Sequence, residues 1–365
     1  MRDLVDYLTM TVERGGSDLH IVAGAPPAAR VHGKLVPLED FVLEGSQTKD
    51  LVFGALKESQ RSTLENDWEL DFALQVEGVG RFRGNTHYTR GNVEGAFRHI
   101  PEAIPELDSL GHGPTVESFT NANQGLLLVT GITGSGKSTT LAAMAKMICE
   151  RRSAVIITIE DPIEFVFNHD TSLIKQRQVG SDTKGFPQAL RSAMRQDPDV
   201  ILVSEMRDLE TIKTAITAAE TGHLVISTLH TQDAPKTIDR LIDVFPGDEQ
   251  AQIVAQLANC LIGIISQRLI PRSDVEGRVL ATEVLKVNHG IRTCIRERKI
   301  EQIAGLIQIG AGEGMHTIDD SLAHLLTGGY IAYDEAVLNA REQDFISDQW
   351  RLHLEAQERE AKKNK

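Results

Sequence analysis

One run of eight residues constrains this chain more than any other. Gly131-Ile132-Thr133-Gly134-Ser135-Gly136-Lys137-Ser138 is a complete G-x-x-x-x-G-K-[ST] loop. An apolar stretch, Leu126-Leu127-Leu128-Val129, leads into it, and a helix-competent stretch, 138–150, leads out. Glycines let the backbone wrap closely around phosphate oxygens with its N–H groups pointing inward. The helix that follows directs its positive end at the same anion. The residues expected to hold a nucleotide's phosphates are Gly131, Thr133, Gly134, Ser135, Gly136, Lys137, Ser138 and Thr139. Lys137 is expected to reach the β- and γ-phosphates of ATP, and the Ser138 hydroxyl to ligate Mg²⁺.

The surroundings of the loop predict an α/β domain. Four apolar runs, 126–129, 154–159, 200–203 and 224–228, alternate with helical patterns at 138–150, 185–196, 209–221 and 234–243. Continuous apolar strands separated by helices indicate a parallel sheet covered on both faces. After about Asp248 the pattern is mainly helical, with a strand expected at 279–285. The charged end, 348–365, is expected as a frayed helix or a disordered tail.

The stretch before the loop has a different character. A helix is expected from Asp3 to Val12, stopped by Gly15-Gly16, then strands at 18–22 and 29–32, with a hairpin turn at Gly33-Lys34 after the second. A helix at 48–65 and strands at 70–74, 80–85 and 93–98 complete a small α+β domain. Pro101, Pro105, Gly111, Gly113 and Pro114 punctuate the interval after it, as in a linker.

Hydrolysis at a phosphate loop needs carboxylates at the ends of neighbouring buried strands. Asp199-Val200-Ile201-Leu202-Val203-Ser204-Glu205 places Glu205 beyond one apolar strand, and Glu160-Asp161-Pro162-Ile163-Glu164 follows another. One carboxylate supports the metal and another holds water near the γ-phosphate. His223 and His230 flank a further apolar strand; His230 is the candidate beside phosphate, and His223 equally fits a local structural role. Arg81 and Arg83 lie on one face of a strand, and an arginine set against a γ-phosphate from a neighbouring subunit speeds phosphoryl transfer. Arg90, Arg98, Arg195 and Arg207 are further cationic positions.

Composition removes several classes. The chain has 365 residues, and its 38 basic against 52 acidic residues give a formal charge of −14, which disfavours a general affinity for nucleic acid. Its three cysteines, Cys149, Cys260 and Cys294, form no CxxC pair, which argues against a structural zinc site or a disulfide framework. No apolar run approaches a membrane span, and the acidic N-terminus is unlike a secretory signal, so a cytosolic protein is expected.

Taken together, these motifs identify a resemblance. The chain is similar to the PilT-type twitching-motility ATPases, the retraction motors of type IV pili within the wider type II/IV secretion ATPase group. The likeness runs from about residue 1 to 340. It is carried by Gly131–Thr139, by Thr158–Phe165 as the acidic box, by Asp197–Asp208 as the second acid motif and by Thr217–Thr231 as the histidine box. It implies a PAS-like N-terminal domain at 1–108, a linker at 109–123, a RecA-like ATPase domain with a helical C-terminal region at 124–347, and the charged tail. It implies a homohexamer that hydrolyses ATP with Mg²⁺ and pulls pilin subunits from a filament through an inner-membrane platform protein. Membrane association is then peripheral, through partners only, at the cytoplasmic face.

The match assigns Glu205 to the metal, Glu164 or Glu160 to water activation, His230 to phosphate, and Arg81, Arg83 and Arg98 to the stretch that supplies arginines across the interface. Extension ATPases of the group add an N-terminal domain and a four-cysteine module, and neither is expected here. The stretch Gly290-Ile291-Arg292-Thr293-Cys294-Ile295-Arg296 keeps the apolar and arginine spacing of the family's AIRNLIR sequence but departs from it at three positions. That departure leaves an accessory PilU-like paralogue as the alternative. A nucleotide-binding regulatory subunit and a nucleic-acid motor are the competing classes.

Overall fold

The computed structural model describes residues 2–31, 33–100 and 103–363, apart from the side chains at 360, 361 and 363. His32, at the end of the second expected strand, Pro101 of the punctuated interval and the last two residues of the tail lie outside the described residues. The chain divides into two compact units, Met1–Ile104 with Pro162–Val166, and Pro105–Asp161 with Phe167–Lys365.

The first unit is an antiparallel sheet with helices. Its strands are β1 (Gly16–Ile21), β2 (Ala28–Val31), β3 (Lys34–Pro37), β4 (Glu69–Val76), β5 (Gly80–Thr89) and β6 (Asn92–Ile100), in the order β3-β2-β1-β6-β5-β4. The period of two decides which face is buried. In β5, Phe82 and Thr86 face the core while Arg81 and Arg83 turn the other way. Tyr7 and Leu8 of helix Leu4–Glu13 and Val52 of helix Gly45–Ala55 close the core over Leu19, Ile21 and Phe97. Asp3 starts the first helix by accepting the Asp6 N–H at 2.8 Å.

Three local expectations are corrected here. Gly16 opens β1, so the helix stop is Arg14-Gly15. Lys34 opens β3 and pairs with Val31, so it belongs to the strand and not to the turn. The helix expected at 48–65 is two, Gly45–Ala55 and Glu58–Asp67, because Leu56 is extended (ψ 140°).

The second unit holds a seven-stranded sheet. It comprises β7 (Gly125–Thr130), β8 (Val155–Glu160), β9 (Leu173–Gln178), β10 (Val200–Val203), β11 (Leu224–Leu229), β12 (Leu261–Pro271) and β13 (Arg278–Lys286), in the order β13-β12-β7-β11-β10-β8-β9. Every pairing is parallel except β12–β13. Alternate residues of β7 enter opposite layers. Leu126 and Leu128 join one hydrophobic cluster, and Leu127 and Val129 join the other with Met144 and Ile148 of helix Lys137–Arg151. Both faces are therefore covered, as continuous apolar strands require.

Two of these strands, β9 and β12, were not expected from the pattern, and β12 interrupts the region expected to be mainly helical after Asp248. Helix Pro114–Phe119 lies inside the interval 109–123, and its Val116 and Phe119 are buried against the β7 layer. Helix Gln343–Lys363 occupies the charged end, so the described part of the tail is regular helix, anchored by the buried Ile346. Among the described residues no helix is long and apolar enough to cross a membrane.

Candidate active site

The loop after β7 has the geometry its glycines require. Gly131 has φ +146°, and a β-carbon there would lie 2.5 Å from both the Gln267 carbonyl oxygen and the Ser135 hydroxyl. Gly136, at φ +89°, caps helix Lys137–Arg151. Residues with a β-carbon are disfavoured in these conformations. Lys137 is only 8% exposed, and its Nζ donates to the carbonyl oxygens of Gly131 at 2.8 Å and Ile132 at 3.0 Å. Thr133, Gly134 and Ser138 are exposed, and Thr139 is half-buried. A buried ammonium beneath an exposed, glycine-rich rim at a helix N-terminus is a cradle for phosphate oxygens.

Glu205 lies two residues beyond β10. The Ser204 N–H donates to Ile159 O at 2.9 Å and the Met206 N–H to Thr228 O at 3.2 Å, which fixes this segment between the ends of β8 and β11. Arg207 Nη2 donates to Glu205 Oε2 at 2.8 Å, and His230 Nε2 lies 2.9 Å from Oε1. Burial pushes the Glu205 carboxyl up. The Arg207 hydrogen bond and the charges of His230, Arg207 and Lys137 outweigh burial and hold it below its ordinary range. The carboxylate is therefore ionised at neutral pH, as a metal-supporting acid must be.

The remaining candidates separate. Glu160 ends β8, and its Oε1 accepts from Thr158 Oγ1 at 2.6 Å and Gln176 Nε2 at 3.0 Å, a tie between β8 and β9. His223 Nδ1 lies 2.9 Å from Ala218 O, which is the local structural partner. The second unit thus brings together Lys137, Glu205, Arg207 and His230. Glu164, half-buried, belongs to the first unit with Arg81 and Arg83. In that unit Arg83 stands opposite Arg98 across β5–β6, and Arg98 Nε reaches Asp18 Oδ1 at 2.8 Å. Arg90 has φ +51° in the turn between β5 and β6, apart from that row.

Sequence reasoning missed the wall of the cradle. Gln267 in β12 is 1% exposed, and its Nε2 donates to Thr140 Oγ1 at 2.7 Å. His112 Nε2 lies 3.0 Å from the same hydroxyl. Burial, with a smaller contribution from His316, lowers the His112 imidazole to about 4. The one available signal was the polar triplet Ser266-Gln267-Arg268 inside an apolar stretch. The Gly290–Arg296 run is a helical segment whose arginines reach the end of helix Gly247–Cys260: the half-buried Arg292 donates from Nη1 to Ala258 O and Asn259 O, and the exposed Arg296 from Nη2 to Asn259 Oδ1. Arg292 thereby caps helix Gly247–Cys260 at its negative end.

Comparison with known proteins leads in the same direction. The family described as type II/IV secretion system protein matches residues 106–309. The type IV pilus retractation ATPase PilT of Pseudomonas aeruginosa is 45% identical over 346 residues, covering 95% of this chain and 99% of that protein. The type IV pilus ATPase PilU of the same organism is 38% identical over 333 residues, covering 91% and 87%. A crystal structure of the pilus retraction motor PilT with bound ADP superposes with a TM-score of 0.88 at 45% identity, covering 94% of this chain and 98% of that one.

Proposed function

This chain belongs to the type II/IV secretion system protein family, and from that premise we propose that it is a P-loop ATPase that drives type IV pilus retraction and twitching motility. The observation that carries the reading is the near-full-length likeness to a retraction ATPase in a chain whose phosphate loop is intact. The higher identity to PilT than to PilU supports the main motor over the accessory paralogue. We assign a PAS-like domain to 1–108, a linker function to 109–123, a RecA-like ATPase domain to 124–347 and the terminal helix to the tail.

In this reading ATP binds at Gly131–Thr139, with Lys137 on the β- and γ-phosphates. The fit to Mg²⁺ rests on an exposed Ser138 hydroxyl and an ionised Glu205 carboxylate, both oxygen donors of the kind this hard cation takes. Bound there, the metal supplies neutralisation of phosphate charge. Glu164 is the base, since the Glu160 carboxylate is already tied to Thr158 and Gln176. His230 orients Glu205 and meets phosphate. Arg81 and Arg83 act on a neighbouring subunit's nucleotide in a homohexamer. The ring works at the cytoplasmic face of the inner membrane against a platform protein of the pilus machine.

Deleting the gene in its host tests the reading. Retraction predicts cells that accumulate surface pili and do not twitch, with both defects reversed by the wild-type gene and not by Lys137→Ala. Cells without pili would point to extension instead.

A further inference from the structure

We propose that Gln267 is a positioning residue for ATP hydrolysis, one that fixes both ends of the phosphate loop to β12. The proposal rests on the reading of this loop as the ATP site, and its residues all belong to the second unit.

The loop leaves the sheet at Thr130 and re-enters regular structure at Lys137. Up to Thr130 its path is set by β12 through the Ser266↔Thr130 register, reinforced by Thr130 Oγ1 donating to Ser266 Oγ at 2.9 Å. The next residue of β12 then touches both ends of the loop. The Gln267 main-chain carbonyl closes against Gly131, the loop's first residue, so tightly that a β-carbon would sit 2.5 Å from it. The Gln267 side-chain amide donates at 2.7 Å to Thr140, in the first turn of the helix that follows the loop. One buried residue of a neighbouring strand thus meets the first residue of the loop and the first turn of the helix that follows it.

His112 completes the clamp. Its Nε2 lies 3.0 Å from Thr140 Oγ1 and 3.2 Å from Gln267 Nε2. Both side chains also carry a buried atom with no hydrogen-bond partner among the described residues, Gln267 Oε1 and His112 Nδ1, and Ser135 Oγ beneath the loop is a third. Each such atom gives up its hydrogen bonds to water on burial, and an apolar residue of similar size would avoid that cost at position 267. Polarity retained at a stability cost beside a phosphate cradle marks a geometric requirement of the site.

Gln267 also passes this constraint onward. It pairs with Thr282 in β13, whose hydroxyl lies 2.8 Å from His316 Nε2 and whose N–H donates to Ser321 Oγ at 3.1 Å. Gln267's partner strand is thereby tied through Ser321 to helix Ile318–Thr327.

The test is steady-state ATP hydrolysis by the purified full-length protein as wild type, Gln267→Met, Thr140→Val, the double variant and Thr140→Ser, with Lys137→Ala as the blank. Turnover is expressed per nucleotide-binding molecule, counted by titration with a fluorescent ADP analogue. Gln267→Met keeps the side chain's length and removes the amide. Each of Gln267→Met and Thr140→Val is expected to lower kcat by about tenfold while KM for ATP moves by less than about threefold. The double variant is expected to lose little more than Thr140→Val alone and not about a hundredfold, because both changes break the Gln267–Thr140 bond, with Thr140→Val also removing the contact to His112. Thr140→Ser, which keeps the hydroxyl, restores what Thr140→Val loses.

Unchanged kcat per binding-competent molecule in both single variants would reduce Gln267 to a packing residue and overturn the proposal. So would a double variant whose losses multiply. If Gln267→Met does not fold, the contrast between Thr140→Val and Thr140→Ser reads the Thr140 hydroxyl's bonds to Gln267 and His112 together, and an unchanged kcat in Thr140→Val overturns the proposal. A wild type with no turnover above the blank overturns the ATPase reading and this proposal with it. Wild-type turnover with unperturbed variants overturns this proposal alone.

Discussion

His230 Nε2 stands 2.9 Å from Oε1 of Glu205, so the residue near the end of the histidine box holds one oxygen of the carboxylate that follows β10. The other oxygen is taken by Arg207 at 2.8 Å. A carboxylate gripped on both oxygens is pre-oriented before any ligand arrives, and pre-orientation lowers the reorganisation needed during the reaction. His230→Ala releases Oε1. It is expected to lower kcat by about ten- to a hundredfold with little change in affinity for ADP. Steady-state turnover together with titration of a fluorescent ADP analogue checks both halves.

Gly131 admits no side chain. Gly131→Ala drives a methyl group into the Gln267 carbonyl and the Ser135 hydroxyl and forces φ +146° on a residue with a β-carbon. The strain is on the order of 1–3 kcal/mol. The expected outcome is a lowered melting temperature together with lost ADP binding, read by thermal denaturation with and without nucleotide.

Glu160 and Glu164 are expected to part in mutagenesis. Glu160→Gln keeps a side chain able to bond Thr158 across a similar distance, so its main effect is a loosened β8–β9 tie and a small loss of stability. Glu164→Gln removes the base and is expected to cost about a hundredfold or more in kcat with KM little changed. The reverse ranking in steady-state assays would transfer the base to Glu160.

His112 gives the protein an acid sensitivity. Burial lowers its imidazole from the ordinary 6.5 to about 4. The unfolded chain therefore binds a proton at this residue between these values and the folded chain does not. Above 6.5 both states are neutral here and His112 makes no contribution to the slope. As pH falls from 6.5 to about 4 stability is lost, and below about 4 the loss levels off. Urea unfolding across this range is expected to show a shallower decline for His112→Gln than for wild type.

The sequence made the ATPase layer legible where physics writes a strong local signal. Leu126–Val129 is apolar at every position because both faces of β7 are covered, and the glycines at 131, 134 and 136 are the residues that positive φ allows. What stayed hidden lacked such a signal. β9, Leu173-Ile174-Lys175-Gln176-Arg177-Gln178, is an edge strand with four polar residues in succession. β12 begins at Leu261 directly after a helix ending at Cys260, with no glycine or proline between them to mark the change of period. Missing β12 meant missing Gln267, since only the register of β12 beside β7 carries that residue to the loop. His112 was hidden for a related reason: its partner, Thr140, lies 28 residues away.

The central claim is that the loop at Gly131–Ser138 cleaves ATP, and the most direct measurement is phosphate release from ATP by purified wild type and Lys137→Ala at equal concentration. Mg²⁺-dependent turnover in the wild type, reduced by at least about a hundredfold in the variant with an unchanged assembly size by gel filtration, is the predicted result. Equal turnover in the two proteins would contradict it.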